Sequence, residues 1–483
     1  MSTVHYETKP SDQIPFLRKI AYGSGAVSNN ILGAALGYMS IVLNIGYGLN
    51  PAVIGILLAI PRLTDALTDP IMGYISDNTV SRHGRRRPYI FWGAISVGII
   101  FALMWQLPRG HSDLFYSAAF LIGSLLFYLA YTVFATPWVA LGYEMTPDYH
   151  ERTRVQGVSN FMGQLGFFIV PWLYAIMEND RWFTDSIQGV QTLAIILGVL
   201  VAVLGILPAI ICKEKSAPLA AEPKEKKSPK QVLGEFIQAS TITIRCKPFL
   251  KLCGATFFLF NGLMLVGSFG SYINIFYVCG GDKDMGAKYM GLFGTLSSIT
   301  VFLVIPFITF LSKKIGKKKA FILASSITLI GSLLKWPCYN PQIPALILVP
   351  APLISFGMGA LFTLMGSMIA DVCDLDELQT GARREGMFGS IYWWVVKLGM
   401  AMAFALAGGL LNATGFNVDL GGNQTEHTFL FMRILDVLVP VATSLIAIGI
   451  IATFSLTEQK AHEVRLKLET RRSSAAPTTA PLS

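Results

Sequence analysis

Charge is scarce in this sequence. Asp, Glu, Lys and Arg make up 14% of its 483 residues, whereas soluble domains carry about 25%. Apolar residues take their place, at 53% of the chain, in runs of about 20 that recur from end to end. Runs of that length measure a bilayer and not a single core. A soluble enzyme and a disordered chain are therefore excluded, and so is a nucleic-acid binder, whose basic charge would have to lie on a water-facing surface. Acids are scarcer than bases, 29 against 38, which leaves a formal charge of +9 for something else to explain. Cysteine is scarce as well: Cys212, Cys246, Cys253, Cys279, Cys338 and Cys373 form no CxxC pair and no Cys/His cluster with metal-ligand spacing. Apolar packing is expected for all six, with a disulfide between Cys279 and Cys338 as the alternative. The N-terminus lacks a basic stretch leading into a short apolar run and cleavage site, so the first span is expected to be retained. No nucleophile stands with a base, so neither enzymatic activity nor a cofactor is expected.

What is present is a series of twelve apolar stretches, near 18–45, 52–76, 89–107, 114–145, 155–177, 189–212, 248–278, 288–312, 319–337, 344–370, 387–412 and 428–456. They are read as helices, because an open strand edge in lipid would leave backbone groups unpaired. The predicted organisation is an N-terminal tail (1–17), a six-helix bundle (18–212), a charged linker (213–247) with an amphipathic surface helix near 231–247, a second six-helix bundle (248–456) and a C-terminal tail (457–483). Lys and Arg gather in alternate loops: Arg82 and Arg85 to Arg87 after span 2, Arg152 and Arg154 after span 4, the linker lysines, Lys313 to Lys319 after span 8, and Arg383 and Arg384 after span 10. That alternation predicts cytoplasmic termini and a cytoplasmic linker in a multi-pass cell-membrane protein, the inner membrane in a bacterium. The positive charge is thus chiefly a topology signal, with attraction to anionic lipid headgroups second. Gly84-Arg-Arg-Arg87 recurs as Gly316-Lys-Lys-Lys319, and Glu144 to Gly157 matches Asp371 to Gly386 at nearly the same offset. Two parallel six-span repeats are the architecture of the major facilitator superfamily, with a site between halves that rock to open it to either side.

Span 2 carries three ionisable residues near mid-membrane. Arg62, Asp65 and Asp69 are spaced by three and four, which puts them on one helix face, continued by Gly73 and Ser76. A charge at the bilayer centre costs at least about 2.5–3.5 kcal/mol on insertion scales, so this face should line a protein interior or water path. Two carboxylates one turn apart suit a small cation or a shared proton. Lys397 is the lone mid-membrane charge of span 11, and with Arg62 it brings this group to formal neutrality. Tyr392 and Trp393 approach Lys397 on the same helix, and aromatic rings beside charges suit the C–H faces and hydroxyls of a sugar. Arg433 and Asp436, near the outer end of span 12, are expected to form a local ion pair.

Together these residues carry a resemblance. Arg62-x-x-Asp65-x-x-x-Asp69-Pro70-x-x-Gly73, followed by Ser76-Asp77 and Gly84-Arg-Arg-Arg-Pro88, is similar to the span-2 signature of the glycoside–pentoside–hexuronide:cation symporters. Tyr22-Gly23, Tyr131-Thr132 with Pro137, Glu144, Glu151-Arg152-Thr153, Ala370-Asp371-x-x-Asp374 with Glu377, and Lys397 extend it through both halves. The resemblance implies cation binding by Asp65, Asp69 and Thr132, coupling through Arg62 and Lys397, and gating by Arg85, Arg86, Arg87, Glu144, Arg152, Asp371 and Asp374. Substrate would meet Asn30, Tyr131, Asn160, Phe362, Tyr392 and Trp393. Galactoside carriers of the family have acids in spans 1 and 4, an arginine in span 5 and a tryptophan in span 10, where this chain has Asn30, Ala135, Asn160 and Phe362. Cation chemistry is thus expected to be retained and galactoside recognition not. The expectation is a monomeric sugar or glycoside symporter in the bilayer; a lysophospholipid carrier on the same scaffold is second and a non-transporting sensor third. The coupling ion is expected to be a proton or sodium, with the oxygen lost at Ala135 favouring the proton.

Overall fold

A computed structural model describes residues 10–77, 79, 81–146, 149–214, 231, 234, 243, 245–380 and 385–475. Most of the predicted linker, including most of the surface helix near 231–247, lies outside the described residues. Among the described residues, twelve helices are long and apolar enough to cross a membrane: Phe16–Ile45, Pro51–Gly73, Arg87–Met104, Asp113–Gly142, Arg154–Met177, Ser186–Ile211, Lys247–Val278, Lys283–Ile315, Lys317–Cys338, Pro344–Thr380, Met387–Ala413 and Glu426–Ala452. They are spans 1 to 12 below. All six cysteines are free, so apolar packing and not the disulfide describes them.

Helix starts are written into the sequence at the face away from the linker. Spans 4, 6, 8 and 12 each begin with a side chain that accepts an orphan N–H of the first turn: Ser112 from Phe115, Asp185 from Gln188, Asp282 from Met285, and Thr425 from Thr428. On the linker face, the two matched basic loops turn on glycines in left-handed conformation, Gly84 at φ 95° and Gly316 at φ 82°, where a Cβ would be strained.

The repeat seen in sequence becomes a repeat in packing. Span 1 packs on spans 5 and 6, span 2 on span 4, and span 3 on spans 4 and 6; span 7 packs likewise on spans 11 and 12, span 8 on span 10, and span 9 on spans 10 and 12. The halves then meet along two seams, span 2 with span 11 and span 5 with span 8.

Burial is uneven along the membrane normal. Away from the linker one continuous cluster joins both halves, with Leu36, Phe101 and Trp105 packed in the same core as Phe269, Phe276 and Met432. On the linker side the core is divided into one cluster per half, one around Phe321, Met365 and Phe388, the other around Tyr22, Phe134 and Trp138.

The far face is sealed by close backbone approach and by a few polar ties. A Cβ on Gly408 would run into the Pro51–Ala52 backbone, and one on Gly291 would run into the Trp172 ring. Asn412 donates to Asn50 at 2.7 Å, Tyr272 to Asn44 at 2.9 Å and Trp172 to Thr295 at 2.8 Å, each across the halves. The C-terminal tail holds a helix that the sequence reading lacked. Residues Glu458–Ala475 lie against span 10, burying Val464 and Leu468 one turn apart.

Candidate functional site

Span 2 delivers its three ionisable residues to the seam with span 11, as helical spacing requires. Asp65 is fully buried and Arg62 is 7% exposed. Lys397 crosses from the other half to lie 2.9 Å from Asp65 Oδ2 and to bridge Asp69. Arg62 Nη1 is 3.5 Å from the same Asp65 oxygen, with its guanidinium over the Tyr128 ring at 4.9 Å. Two acids and two bases, one of them from the opposite half, thus form a single group. It is formally neutral, and its charges compensate one another inside the seam.

Span 4 completes the site with hydroxyls. Thr132 donates to Asp65 Oδ1 at 2.9 Å, Thr136 donates to Asp69 Oδ1 at 3.1 Å, and Thr68 lies 3.2 Å from Thr132 between their Oγ1 atoms. Thr132 was expected; Thr68 and Thr136 were not. Their signal was nonetheless present: Thr68 precedes Asp69, and Thr136 follows Thr132 by one turn.

The expected substrate residues do not gather in one place. Tyr131 donates to Asn29 at 2.7 Å, close to the Arg62 side of the site. Asn30 is spent on structure, donating to the Gly163 carbonyl at 2.9 Å and so tying span 1 to span 5. Its neighbour Asn29, which sequence reasoning passed over, is the one that meets Tyr131. Asn160 is exposed on span 5. Trp393 is 54% exposed and stacks on Phe362, with centroids 5.9 Å apart and planes 7° from parallel. Tyr392 corrects its expected place beside a ligand: it is 4% exposed and turns into the second half, its hydroxyl 3.3 Å from Thr256. One residue along a helix is a rotation of about 100°, enough to send adjacent rings to opposite sides.

The basic loops build clamps within each half. Arg85 pairs with Glu144, and Arg86 pairs with it at 2.6 Å. Arg87 donates to the Ala209 carbonyl at 2.5 Å and to that of Ile210 at 3.2 Å. Partial burial pushes the Glu144 carboxyl up, but hydrogen bonds and charge from Arg86 and Arg85 outweigh it and hold the group below the ordinary glutamate range. In the second half Lys317 pairs with Asp371 at 2.6 Å, and Asp374 lies near one turn further on. Span 5 opens on a comparable group, with the buried Glu151 2.6 Å from Lys19 and 3.0 Å from Arg154. The Arg152 side chain lies outside those described. Glu214 was missed: this first linker acid accepts the backbone N–H groups of Arg85, Arg86 and Arg87 at 2.9, 2.8 and 3.2 Å. The Gly-Arg-Arg-Arg loop therefore holds one carboxylate with its side chains and another with its backbone. A second correction falls on span 12. Asp436 pairs with Lys335 at 3.0 Å and with the Tyr339 hydroxyl, while Arg433 lies between the rings of Tyr277 and Trp336.

Two six-helix bundles around a charge group that bridges them define a membrane transporter of the major facilitator type. Residues 21–458 match the family model described as MFS/sugar transport protein, and the chain belongs to that family. It is 26% identical to the uncharacterized symporter YnaJ of Bacillus subtilis (strain 168), over 95% of this chain and 96% of that one. It is 23% identical to the isoprimeverose transporter of Lactiplantibacillus pentosus, over 84% and 82%. Among solved structures, the nucleoside transporter NupG superposes with a TM-score of 0.58 at 13% identity, covering 91% of this chain and 98% of the other. That likeness is one of fold.

Proposed function

We propose that this protein carries a sugar or glycoside across the membrane together with a cation, by alternating access. One observation carries the reading: Lys397 of the second half bridges Asp65 and Asp69 of the first, so whatever displaces that ammonium alters a contact between the moving halves. A monovalent cation suits the two carboxylates and three threonine hydroxyls, and Trp393 on Phe362 offers a ring face to a sugar. The family description and the relative named an isoprimeverose transporter support the cargo class. The alternating basic loops support a cytoplasmic linker and cytoplasmic termini, which would make the sealed face the outer one.

Uptake by the purified protein in liposomes tests cargo and ion together. Sugar should accumulate against its gradient when sodium or a proton gradient is imposed inward, and a protonophore separates the two ions. Lysophospholipid uptake with no sugar response would replace the cargo; sugar equilibration that ignores both gradients would remove the coupling. Orientation is checked by cysteine labelling in cells: Gly281→Cys should react with an impermeant reagent from outside and Arg85→Cys should not. The reverse pattern would invert the assignment of faces.

A further inference from the structure

Glu178 is the first residue beyond span 5, and the sugar-symport reading leaves it without a task. Its amide donates to the Tyr174 carbonyl at 3.0 Å, and residues four apart share a helix face. Glu178 Oε1 and the Tyr174 hydroxyl are both buried without a hydrogen-bond partner. At this end span 5 packs on span 8 of the other half. Cβ atoms on Gly291 and Gly294 would run into Trp172 and Pro171, and Trp172 donates to Thr295 at 2.8 Å. Lys283 and Asp284 open span 8 and act on Glu178 from across that seam. Ser186 of span 6 faces it from its own half, next to Asp185, which Arg109 holds at 2.7 Å. Tyr272 of span 7 is near Tyr174 and donates to Asn44.

A carboxyl with one oxygen dry and unpartnered is costly as an anion and less so as an acid. Burial pushes the Glu178 carboxyl above the ordinary glutamate range, and Asp284 adds to the push. Lys283 and the hydroxyls of Tyr174 and Ser186 pull it down without cancelling the rise. Alternating access parts span 5 from span 8 at this face, which would admit water and let the carboxyl ionise at its ordinary acidity. A proton bound more tightly in one state than in the other shifts the balance between the two. Asp436 is as deep, but its partner Lys335 belongs to the same half, so rocking leaves that pair intact.

We propose, resting on the alternating-access reading, that Glu178 is a proton-binding site in its own right: the sealed face closes as this carboxyl takes up a proton from water and opens as it releases one. It is separate from the coupling group at Asp65 and Asp69, so acidity at the sealed face favours closure whichever cation drives transport. The effect is confined to a window. Below the ordinary glutamate range both states are protonated, above the raised value of the closed state both are ionised, and between the two a rise in pH favours opening.

Labelling of Thr295→Cys by a maleimide in the purified full chain, read by peptide mass spectrometry, follows the opening of this face. At each pH the rate is divided by that of the same protein carrying Glu178→Gln, whose side chain is neutral throughout. The ratio cancels the ionisation of the thiol and of the Asp65–Asp69 group. It should rise with pH across the window, by about tenfold per pH unit at most for one proton. Two changes on the other half act on the same carboxyl even if Glu178→Gln does not fold. Lys283→Gln should move the midpoint of the labelling profile to higher pH, and Asp284→Asn should move it to lower pH. A flat ratio, or a midpoint that stays in place in both variants, would overturn the inference while leaving sugar symport intact. If Thr295→Cys stays unlabelled at every pH while cargo is still transported, opening at this face is wrong, and the inference falls with it.

Discussion

Asp65 and Asp69 are the same residue type, one turn apart on one helix, yet their surroundings predict different consequences of losing the charge. Asp65 is fully buried and accepts from Thr132 on one oxygen, while the other faces Lys397 at 2.9 Å and Arg62 at 3.5 Å. Asp65→Asn keeps the shape but leaves Arg62 without its acid in the protein interior. Breaking a buried pair from one side costs about 3–5 kcal/mol. The Asp69 side chain is 34% exposed, and Asp69→Asn leaves Lys397 held by Asp65. Its cost should be nearer that of an exposed pair, about 1 kcal/mol or less. Both variants should lose cation-driven accumulation, because a coupling ion needs the carboxylate's charge. Only Asp65→Asn should also lower thermal stability markedly. The assay pairs melting of the purified variants with two transport modes, accumulation and substrate counterflow. Asp69→Asn should melt near the unmodified protein and retain counterflow. Equal melting losses in the two variants would refute the burial argument, and an Asp69→Asn protein that still concentrates substrate would refute the coupling role.

Three further outcomes follow from the geometry. Trp393→Ala should weaken sugar binding by about 1–3 kcal/mol, as for a central aromatic anchor, whereas Tyr392→Phe should leave sugar affinity unchanged; calorimetry giving the opposite order would reverse the roles of the two rings. Gly291→Leu puts a side chain where the Trp172 ring packs, so it should part the far face and raise labelling of a cysteine at Thr295, and unchanged labelling would show that this contact does not hold the face shut. Glu144 has its acidity raised by Arg85 and Arg86, so the clamp's stabilisation is full above the ordinary glutamate range and fades as pH falls through the lowered value. The melting difference between Glu144→Gln and the unmodified protein should therefore be present at pH 7 and shrink in acid, and a difference that grows in acid would contradict the assignment.

Much of this molecule was legible because membrane insertion imposes simple periodicities. Apolar runs of bilayer length gave the spans, and the recurrence of Gly84-Arg-Arg-Arg87 as Gly316-Lys-Lys-Lys319 foretold the repeat that appears in packing. The face shared by Arg62, Asp65 and Asp69 survived intact because residues three and four apart stay together on any straight helix. What failed was finer than that spacing. Tyr392 and Trp393 were treated alike, although adjacent helical residues cannot face the same way. Asn30 was favoured over Asn29 by alignment, and the hydrogen bond to Tyr131 belongs to Asn29. Arg433 and Asp436 suited an intrahelical pair, yet neighbouring helices supplied better partners in Lys335, Tyr277 and Trp336. Glu214 had no signal to offer, since backbone N–H groups that seek an acceptor leave no mark in side-chain pattern. The helix Glu458–Ala475 was overlooked because its buried residues are few and its charged ones many.

The position of Lys397 suggests why cation and sugar should be coupled over so short a distance. Its ammonium stands where the proposed cation would bind, held by both carboxylates. On the proposed function, an arriving sodium ion or proton would weaken those contacts, and Asp69, the more exposed acid, is where release would be cheapest. A freed Lys397 lies one turn from Trp393, whose ring stacks on Phe362 of span 10. The same side chain then reports cation occupancy to the place where the sugar is proposed to lie. Without the cation, the ammonium stays tied to span 2, and a sugar arriving alone meets a seam already neutral. With it, the proposed coupling would leave Lys397 free of span 2 and the seam more positive when the sugar arrives. Coupling on this scheme requires no relay across the protein, only that one lysine from the second half cannot be displaced from two aspartates of the first without changing the charge that the sugar meets.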